Sequence, residues 1–339
     1  MKIIDTEAHF YTRAYHDYLL TRTEIPREEV YKGYVRIWYH PNAWEPHGAM
    51  IEDKLMDLAK GRLNDMDEAG IDMQVLSLSA PGCEQFGLVD GVVWARKTND
   101  TLSKIINKYP DRFIGMAALA PQSPENAALE LERTIKQLGF KGVKLNSNAG
   151  GEYLDNRKFW PIFEVAEKLD VPIYLHPSVP TPALATPLAD YGFALCGPAL
   201  GFAIETAVHA MRLIYSGLFE EYPRLKMILG HMGEGLVHWL YRIDYIFKKP
   251  SIDEELHYHA KKAPSQYIKN NFFITTSGMS SLPAFLNTYL ELGADRIMFS
   301  TDYPFESNEE SVYFVERLPV SDNDKEKITY INAKKLFKI

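Results

Sequence analysis

The chain has 339 residues, of which 46% are hydrophobic and 24% are charged, an ordinary composition for a globular protein with a sizeable core. Its formal net charge is −8 and its basic residues are not clustered, which argues against a nucleic-acid partner and against an anionic membrane surface. The two cysteines suggest no disulfide framework, no apolar run reaches the roughly 18 residues of a membrane span, and the N-terminus does not resemble a secretory signal. We therefore expect a cytoplasmic protein.

Eight short apolar runs predict β-strands. Most are apolar at consecutive positions, a pattern typical of parallel strands that are buried on both faces. In chain order they are residues 2–7, 72–79, 112–120, 141–146, 171–176, 225–231, 272–277 and 296–302.

Helical patterns separate these runs. Residues 54–70 show one that ends at Gly70, and residues 123–139 show one that ends at Gly139, two glycines suited to helix C-caps. Further helical patterns cover residues 97–110 and 159–170. Eight alternating β and α units in a chain of this length favour an α/β fold of the (β/α)8 type, the TIM barrel, over an open doubly wound sheet.

Two connections are too long for simple loops of such a barrel. Residues 10–60 follow the first predicted strand and residues 177–205 follow the fifth, and both segments are rich in Tyr, Trp, Pro and His. Long loops of compact domains are usually functional, and these would leave the strand ends at which TIM-barrel active sites lie. We expect one domain over residues 1–339, with a lid arm at 10–60 and a second insertion at 177–205.

Polar side chains stand at the ends of the predicted strands. They are Glu7 and His9 at the first strand, Lys144 and Asn146 at the fourth, His176 at the fifth, His231 at the sixth and Asp302 at the eighth. These ends converge on one mouth of a barrel, where two imidazoles and two carboxylates can bind a divalent cation. Each residue alone has a simpler explanation, because a strand-terminal His often serves only as a hydrogen-bonding residue and Asp302 precedes a Tyr-Pro turn.

Four motifs strengthen this interpretation by resemblance to a known family. They are Glu7-Ala8-His9, LHP at 175–177, GHMGE at 230–234 and SxDYPF at 300–305. Together they resemble the amidohydrolase superfamily, and within it the metal-dependent aromatic acid decarboxylases such as γ-resorcylate, 5-carboxyvanillate and aminocarboxymuconate-semialdehyde decarboxylase. The resemblance extends to the closing INAKKLFKI and implies a non-oxidative decarboxylase, a carboxy-lyase, of a hydroxylated aromatic acid such as a dihydroxybenzoate.

The resemblance also implies roles for single residues. One divalent metal ion, Mn²⁺ or Zn²⁺, would be bound by Glu7, His9, His176 and Asp302. His231, supported by Glu234, would be catalytic or contact the substrate, Asn146 would contact the substrate, and Arg242 would reach the active site of a neighbouring subunit of a homodimer or homotetramer.

Chemistry and position add two further expectations. Asp302, beside the metal, is our candidate for the acid that protonates the ring carbon bearing the carboxylate. Among the aromatic residues of the arm, Phe10 is the best candidate for a substrate contact because it follows His9. The remaining histidines considered are interpreted as surface or packing residues: His40, His47, His209, His238, His257 and His259.

The glutamate at position 7 separates the leading hypothesis from its alternatives. Hydrolytic amidohydrolases typically carry His-x-His after the first strand and often a carboxylated lysine at the fourth. Glu7 therefore favours a decarboxylase over a metal-dependent hydrolase, lactonase or hydratase of a small cyclic or unsaturated acid. A metal-binding scaffold without catalysis would require spoiled ligands, and none of the four is replaced.

Overall fold

The fold is built around eight parallel strands, seen in a computed structural model that describes residues 1–249 and 258–339. Strands β1 and β5 to β11 form the barrel sheet in the order β1-β5-β6-β7-β8-β9-β10-β11. The strands are β1 (Ile4–Phe10), β2 (Arg27–Tyr31), β3 (Tyr34–His40), β4 (Ala43–His47), β5 (Met73–Leu78), β6 (Phe113–Ala117), β7 (Gly142–Asn146), β8 (Ile173–His176), β9 (Met227–Leu229), β10 (Phe272–Thr275) and β11 (Ile297–Met298).

The first and last parts of the barrel close on each other. The amide of Thr6 donates to the carbonyl of Phe299 at 3.2 Å, and the amide of Asp302 donates to the carbonyl of Glu7 at 3.1 Å. Each of the eight predicted runs overlaps one barrel strand, so the TIM-barrel prediction is confirmed. The predicted end of the first strand at Glu7 is wrong, because β1 continues through Phe10 and includes both Glu7 and His9.

Helices surround the barrel, and the predicted C-caps are present: Gly70 and Gly139 end α3 and α5 with φ of 75° and 74°. Such left-handed backbone suits a residue without a Cβ. The helices are α1 (Arg13–Thr21), α2 (Ala49–Met56), α3 (Lys60–Ala69), α4 (Leu88–Lys108), α5 (Pro124–Leu138), α6 (Trp160–Leu169), α7 (Pro182–Ala189), α8 (Gly192–Cys196), α9 (Gly201–Tyr215), α10 (Leu218–Glu221), α11 (His231–Glu234), α12 (Leu236–Phe247), α13 (Pro264–Asn271), α14 (Leu282–Leu292), α15 (Asn308–Glu316), α16 (Asp322–Glu326) and α17 (Asn332–Phe337). Short 3₁₀ segments cover Arg157–Phe159 and Ala294–Arg296, and a π-helical turn covers Lys327–Ile331.

The arm at residues 10–60 is a packed substructure and not a loop. It consists of α1, the antiparallel sheet β2-β3-β4 and α2. Four residues of the arm, Tyr11, Tyr15, Ile37 and Leu55, are fully buried and belong to the main hydrophobic core. The arm is therefore held on the barrel by the same apolar burial that stabilises the barrel itself.

The second insertion overlaps a segment, Gly192–Tyr215, that is long and apolar enough to cross a membrane by length and composition alone. It is interrupted, since α8 ends at Cys196 and α9 begins at Gly201. Within α9 the fully buried carboxylate of Glu205 accepts hydrogen bonds from the amide of Thr181 at 3.0 Å and the hydroxyl of Tyr153 at 3.0 Å. These contacts tie α9 to the segments that precede α6 and α7.

Candidate metal centre and active site

Glu7 and His9 project to the same side of β1 because they are two residues apart in an extended segment. Both are buried, and the hydroxyl of Tyr174 on β8 donates to Oε2 of Glu7. The guanidinium of Arg62, itself fully buried, donates to the carbonyl of His9 at 2.6 Å. The side chain of Glu7 and the backbone of His9 are thus held by neighbours on other elements.

His176 ends β8 and faces Glu7. Its Nδ1 lies 2.7 Å from the carbonyl of Pro177, a contact that requires a proton on Nδ1 and leaves Nε2 as the lone-pair atom. Nε2 lies 3.0 Å from Oε1 of Glu7. Burial, with the positive charge of Lys144, lowers the pKa of His176 to about 4, so the imidazole is neutral at physiological pH.

Asp302 follows β11 on a backbone with φ of 75°, an unusual conformation for a residue other than glycine. The preceding residue is held by Asp5, whose carboxylate accepts from the amide of Thr301 at 3.0 Å and from its hydroxyl at 2.7 Å. Oδ1 of Asp302 lies 2.9 Å from Nε2 of His9. A buried carboxylate on the first strand therefore positions a second carboxylate that follows the last strand.

These four side chains fit a divalent cation. One donor atom each from Glu7, His9, His176 and Asp302 lies within 4.8 Å of the others. Nε2 of His9 and Nε2 of His176 are 3.2 Å apart, and Oε1 of Glu7 is buried without a hydrogen-bond partner. An unpartnered buried carboxylate oxygen is costly unless a cation compensates it, and two imidazoles with two carboxylates suit Mn²⁺ or Zn²⁺. The four residues predicted as ligands are thus brought together.

His231 and Glu234 sit in the tight turn α11 beside this cluster. Both have positive φ, 50° and 54°, and such strain in residues other than glycine is found at functional sites. Nδ1 of His231 donates to Oε1 of Glu234 at 2.7 Å, and its Nε2 lies 3.5 Å from Oδ2 of Asp302. Burial disfavours charge on His231, but the carboxylates of Glu234 and Asp302 raise its pKa well above 6.5. The turn presents an imidazolium to Asp302.

Asn146, the predicted substrate contact at the fourth barrel strand, is fully buried and does not line the cavity described below. Its amide nitrogen donates to Oε2 of Glu84 at 3.0 Å, and its amide oxygen accepts from Nζ of Lys144 at 3.1 Å. Burial lowers the pKa of Lys144 to about 8. Asn146 therefore lies behind the site and links Lys144 to Glu84, a buried carboxyl group that the sequence pattern did not single out.

Phe10 and Arg242, the other predicted substrate contacts, also lie outside the cavity wall. Phe10 is buried in the hydrophobic core, while the ring of Phe305 lines the cavity and lies 5.8 Å from the ring of His9. Arg242 is exposed on α12, with its guanidinium 5.9 Å from the centre of the Tyr245 ring. In its own chain Arg242 is directed neither to the metal ligands nor to the cavity.

The cluster opens into a cavity of about 1060 Å³, far larger than a single benzene ring requires. Its polar end contains His9, His176, His231 and Asp302, and its remaining wall is mostly apolar and comes largely from α9 and α12. Tyr39 and Glu45 of the arm and Glu306 after β11 also line it. No sequence motif points to Glu45, whose one signal is its place in the long insertion predicted to be a lid.

The histidines interpreted as surface or packing residues divide into two groups. His238 and His259 are exposed and His40 is half-buried, whereas His47 and His209 are buried. Nε2 of His209 accepts from the amide of Leu154 at 3.0 Å, and burial lowers the pKa of His209 to about 3. His257 lies outside the described residues.

Comparison with known proteins identifies the relatives of this chain. The profile of the Amidohydrolase family matches residues 4–339. The γ-resorcylate decarboxylase of Polaromonas sp. strain JS666 is 43% identical over 298 residues, which cover 85% of this chain and 90% of that protein. A dihydroxybenzoic acid decarboxylase structure from Polaromonas sp. JS666, with bound manganese and 2-nitroresorcinol, is 39% identical and superposes with a TM-score of 0.86 over 99% of this chain and 97% of that one. The 5-carboxyvanillate decarboxylase of Sphingomonas paucimobilis is 32% identical, with a TM-score of 0.90 over 100% and 99% of the two chains.

Proposed function

The chain belongs to the amidohydrolase family, and we infer from this membership and from its site that it is a carboxy-lyase. It decarboxylates hydroxylated aromatic acids, the class of compound on which its γ-resorcylate and dihydroxybenzoate decarboxylase relatives act. The observation that carries this assignment is the buried cluster of Glu7, His9, His176 and Asp302 at one end of a mostly apolar cavity. An apolar wall suits an aromatic ring, and a divalent cation held by the four residues would suit its carboxylate.

We propose that these four residues hold one divalent metal ion per subunit, Mn²⁺ or Zn²⁺. The bound manganese of the dihydroxybenzoic acid decarboxylase supports the first of these. When bound, the ion would act as a Lewis acid that orients the substrate carboxylate and a neighbouring hydroxyl group. The hydroxyl of Tyr174, which donates to Glu7, and the carbonyl of Pro177, which accepts from His176, would keep the two ligands in their orientations.

Proton transfer is proposed to run through Asp302. This carboxyl group would protonate the ring carbon that bears the carboxylate, which interrupts aromaticity and lets carbon dioxide leave. Nε2 of His231, 3.5 Å from Oδ2 of Asp302, is placed to supply that proton or to hold a phenol or carboxylate oxygen. Glu234 would keep His231 in one orientation through the 2.7 Å bond to Nδ1.

The three predicted substrate contacts differ in how the geometry supports them. Because Asn146 joins Lys144 and Glu84 behind the cavity, we propose that it acts by positioning them. Phe10, packed in the core, would support His9 from behind. Arg242 remains our proposal for a residue that reaches a neighbouring subunit, where its planar guanidinium could pair with a substrate oxygen.

Arg242 could reach the active site of a neighbouring subunit if the chain forms a homodimer or a homotetramer. On α12, next to Arg242, the side chains of Trp239 and Tyr241 are 59% and 81% exposed. Exposed aromatic residues on one helix are typical of a protein interface. We also propose a cytoplasmic location, which agrees with the two buried free cysteines, Cys83 and Cys196.

The test is a substrate screen joined to one substitution. Metal-loaded protein is incubated with 2,6-dihydroxybenzoate, with 5-carboxyvanillate and with a panel of lactones, and carbon dioxide release and ring opening are measured. We expect carbon dioxide from at least one hydroxylated benzoate, and no turnover by Asp302→Asn. Asp111→Asn, at an exposed aspartate far from the site in sequence, is the matched control. Lactone opening without decarboxylation would overturn the assignment, and a near-wild-type rate of metal-loaded Asp302→Asn would overturn the role of Asp302.

A further inference from the structure

A second group of ionisable side chains lies buried in the arm at residues 10–60. It consists of His16 on α1, Glu28 on β2 and Glu52 on α2, and is called the arm cluster below. The three residues are 7%, 1% and 4% exposed. Nδ1 of His16 lies 2.7 Å from Oε2 of Glu28 and 3.3 Å from Oε2 of Glu52. One donor atom from each residue lies within 4.8 Å of the other two.

These donor atoms lie close together but form no hydrogen bonds with one another. Nδ1 of His16, both carboxylate oxygens of Glu28 and Oε2 of Glu52 are buried and have no hydrogen-bond partner, although Nδ1 of His16 lies within ion-pair distance of both carboxylates. Buried carboxylate oxygens without partners are strongly unfavourable. Oε1 of Glu7, in the active-site cluster, has the same property. The arm cluster therefore shares with the active-site cluster the arrangement expected of metal ligands.

A second histidine borders the arm cluster. Nδ1 of His47 donates to Oε1 of Glu52 at 2.7 Å, and its Nε2 lies 3.3 Å from Oε2 of Glu45. A divalent cation bound between Glu28 and Glu52 would offset the negative charges of these two ligands, which removes much of the cost of burying them.

We propose that His16, Glu28 and Glu52 form a second metal site, which binds a divalent cation such as Zn²⁺ through one imidazole nitrogen and two carboxylates. This donor set suits Zn²⁺, and the remaining coordination positions are open to water. Oε1 of Glu52 is free to accept from His47, the kind of outer contact that orients a ligand. The proposal does not depend on the reaction catalysed in the barrel.

The cation would join three elements of the arm that are otherwise held by apolar packing. It would bind α1, β2 and α2 together, and through Glu52, His47 and Glu45 it would extend to the cavity wall. There the hydroxyl of Tyr39 donates to Oε2 of Glu45 at 3.1 Å, and both side chains line the cavity. The arm site would thus fix the wall of the active site without contacting the substrate.

The test counts metal ions per chain. Untagged full-length protein is stripped with a chelator, loaded with Zn²⁺, desalted and measured by elemental analysis. We expect two ions in the wild type, one in His176→Ala, which loses a proposed active-site ligand, and one in Glu28→Gln. His238→Ala, at an exposed histidine, is the control for surface binding and should keep two. No ion in His176→Ala, or the same count in Glu28→Gln as in the wild type, would overturn the proposal in favour of a cluster neutralised by shared protons.

A second measurement locates the ion and does not rely on a substitution inside the arm cluster. In the His176→Ala protein, Zn²⁺ should slow amide hydrogen exchange in residues 27–47, which contain β2 to β4. If exchange there is the same with and without Zn²⁺, the ion is not bound in the arm and the proposal fails. A wild type with two ions and protected arm amides but no decarboxylase activity would uphold the arm site and count against the proposed function alone.

Discussion

Replacement of Glu234 by Gln tests how the turn α11 contributes to catalysis. The change keeps the shape of the side chain but removes the charge that faces Nδ1 of His231 at 2.7 Å. Glu234 is 5% exposed, so water cannot readily replace the lost interaction. A hydrogen bond to a charged group contributes about 1.5–3 kcal/mol, and 1.36 kcal/mol corresponds to a factor of ten in rate. We therefore expect kcat/KM to fall by roughly ten- to 150-fold.

The assay is steady-state decarboxylation of the best acid from the substrate screen, measured from pH 5 to 10 with saturating metal. Since Glu234 is one of the groups that raise the pKa of His231, the alkaline limb of the profile should also move to lower pH in the variant. Glu310→Gln, at an exposed glutamate of α15, is the control and should change neither value. A Glu234→Gln enzyme within twofold of wild type, with an unmoved alkaline limb, would refute the idea that a protonated His231 takes part.

Three further predictions concern other parts of the molecule. His209 has a pKa of about 3 in the fold against about 6.5 when unfolded, so stability is lost as the pH falls through 6.5, by about 2 kcal/mol at pH 5. Between pH 7 and pH 5 the urea concentration at the unfolding midpoint should therefore fall less for His209→Gln than for the wild type. Equal falls would contradict this prediction. Tyr174→Phe removes the hydroxyl that donates to Glu7 and should weaken Mn²⁺ binding about 10- to 100-fold in a chelator competition, where an unchanged affinity would count against it. Trp239→Glu places a charge on the exposed aromatic face of α12 and should lower the mass measured by sedimentation, an expectation that fails if the wild type is already a monomer.

The barrel could be predicted because its signal is local. Residues 72–79 and 171–176, for example, are apolar at consecutive positions, and such runs form strands only where both faces are covered. The location of the polar residue at the end of each run then follows from the topology, because the parallel strands of a barrel have their C-terminal ends at the same mouth. This is why His176 and Asp302, 126 positions apart, could be placed in one site before the structure was known.

The arm could not be predicted as a sheet because its strands carry charged residues and are only partly buried. The stretch Arg27–Tyr31 reads REEVY, with charges at three consecutive positions. Lys32 and Gly33, both with positive φ, form the two-residue connection between β2 and β3, and this pair is not one of the Asn-Gly or Asp-Gly pairs that mark such hairpins most strongly. His16, Glu28 and Glu52 are separated by 12 and 24 positions, a spacing that matches no recognised ligand motif, so only the fold brings them together.

The surroundings of Asn146 were beyond prediction for a different reason. Its side chain could equally face the mouth or the barrel interior, and the choice depends on Glu84, which follows another strand. A buried Lys144 with a carboxylate nearby is a long-range pairing, for which a single sequence carries no local signal. Residues that act through such pairings can be identified only from the folded structure, in which the strands lie side by side.

Closure of the barrel between β1 and the segment after β11 determines when the proposed metal centre can exist. His9 and Asp302, whose side chains meet at 2.9 Å, are 293 positions apart in the chain. The ribosome must therefore synthesise the chain through residue 302 before the last proposed ligand can join the first. Until then the nascent chain offers only part of the ligand set. The proposed ion would thus be acquired only once the barrel can close, and the ions available at that stage would decide which one the site holds.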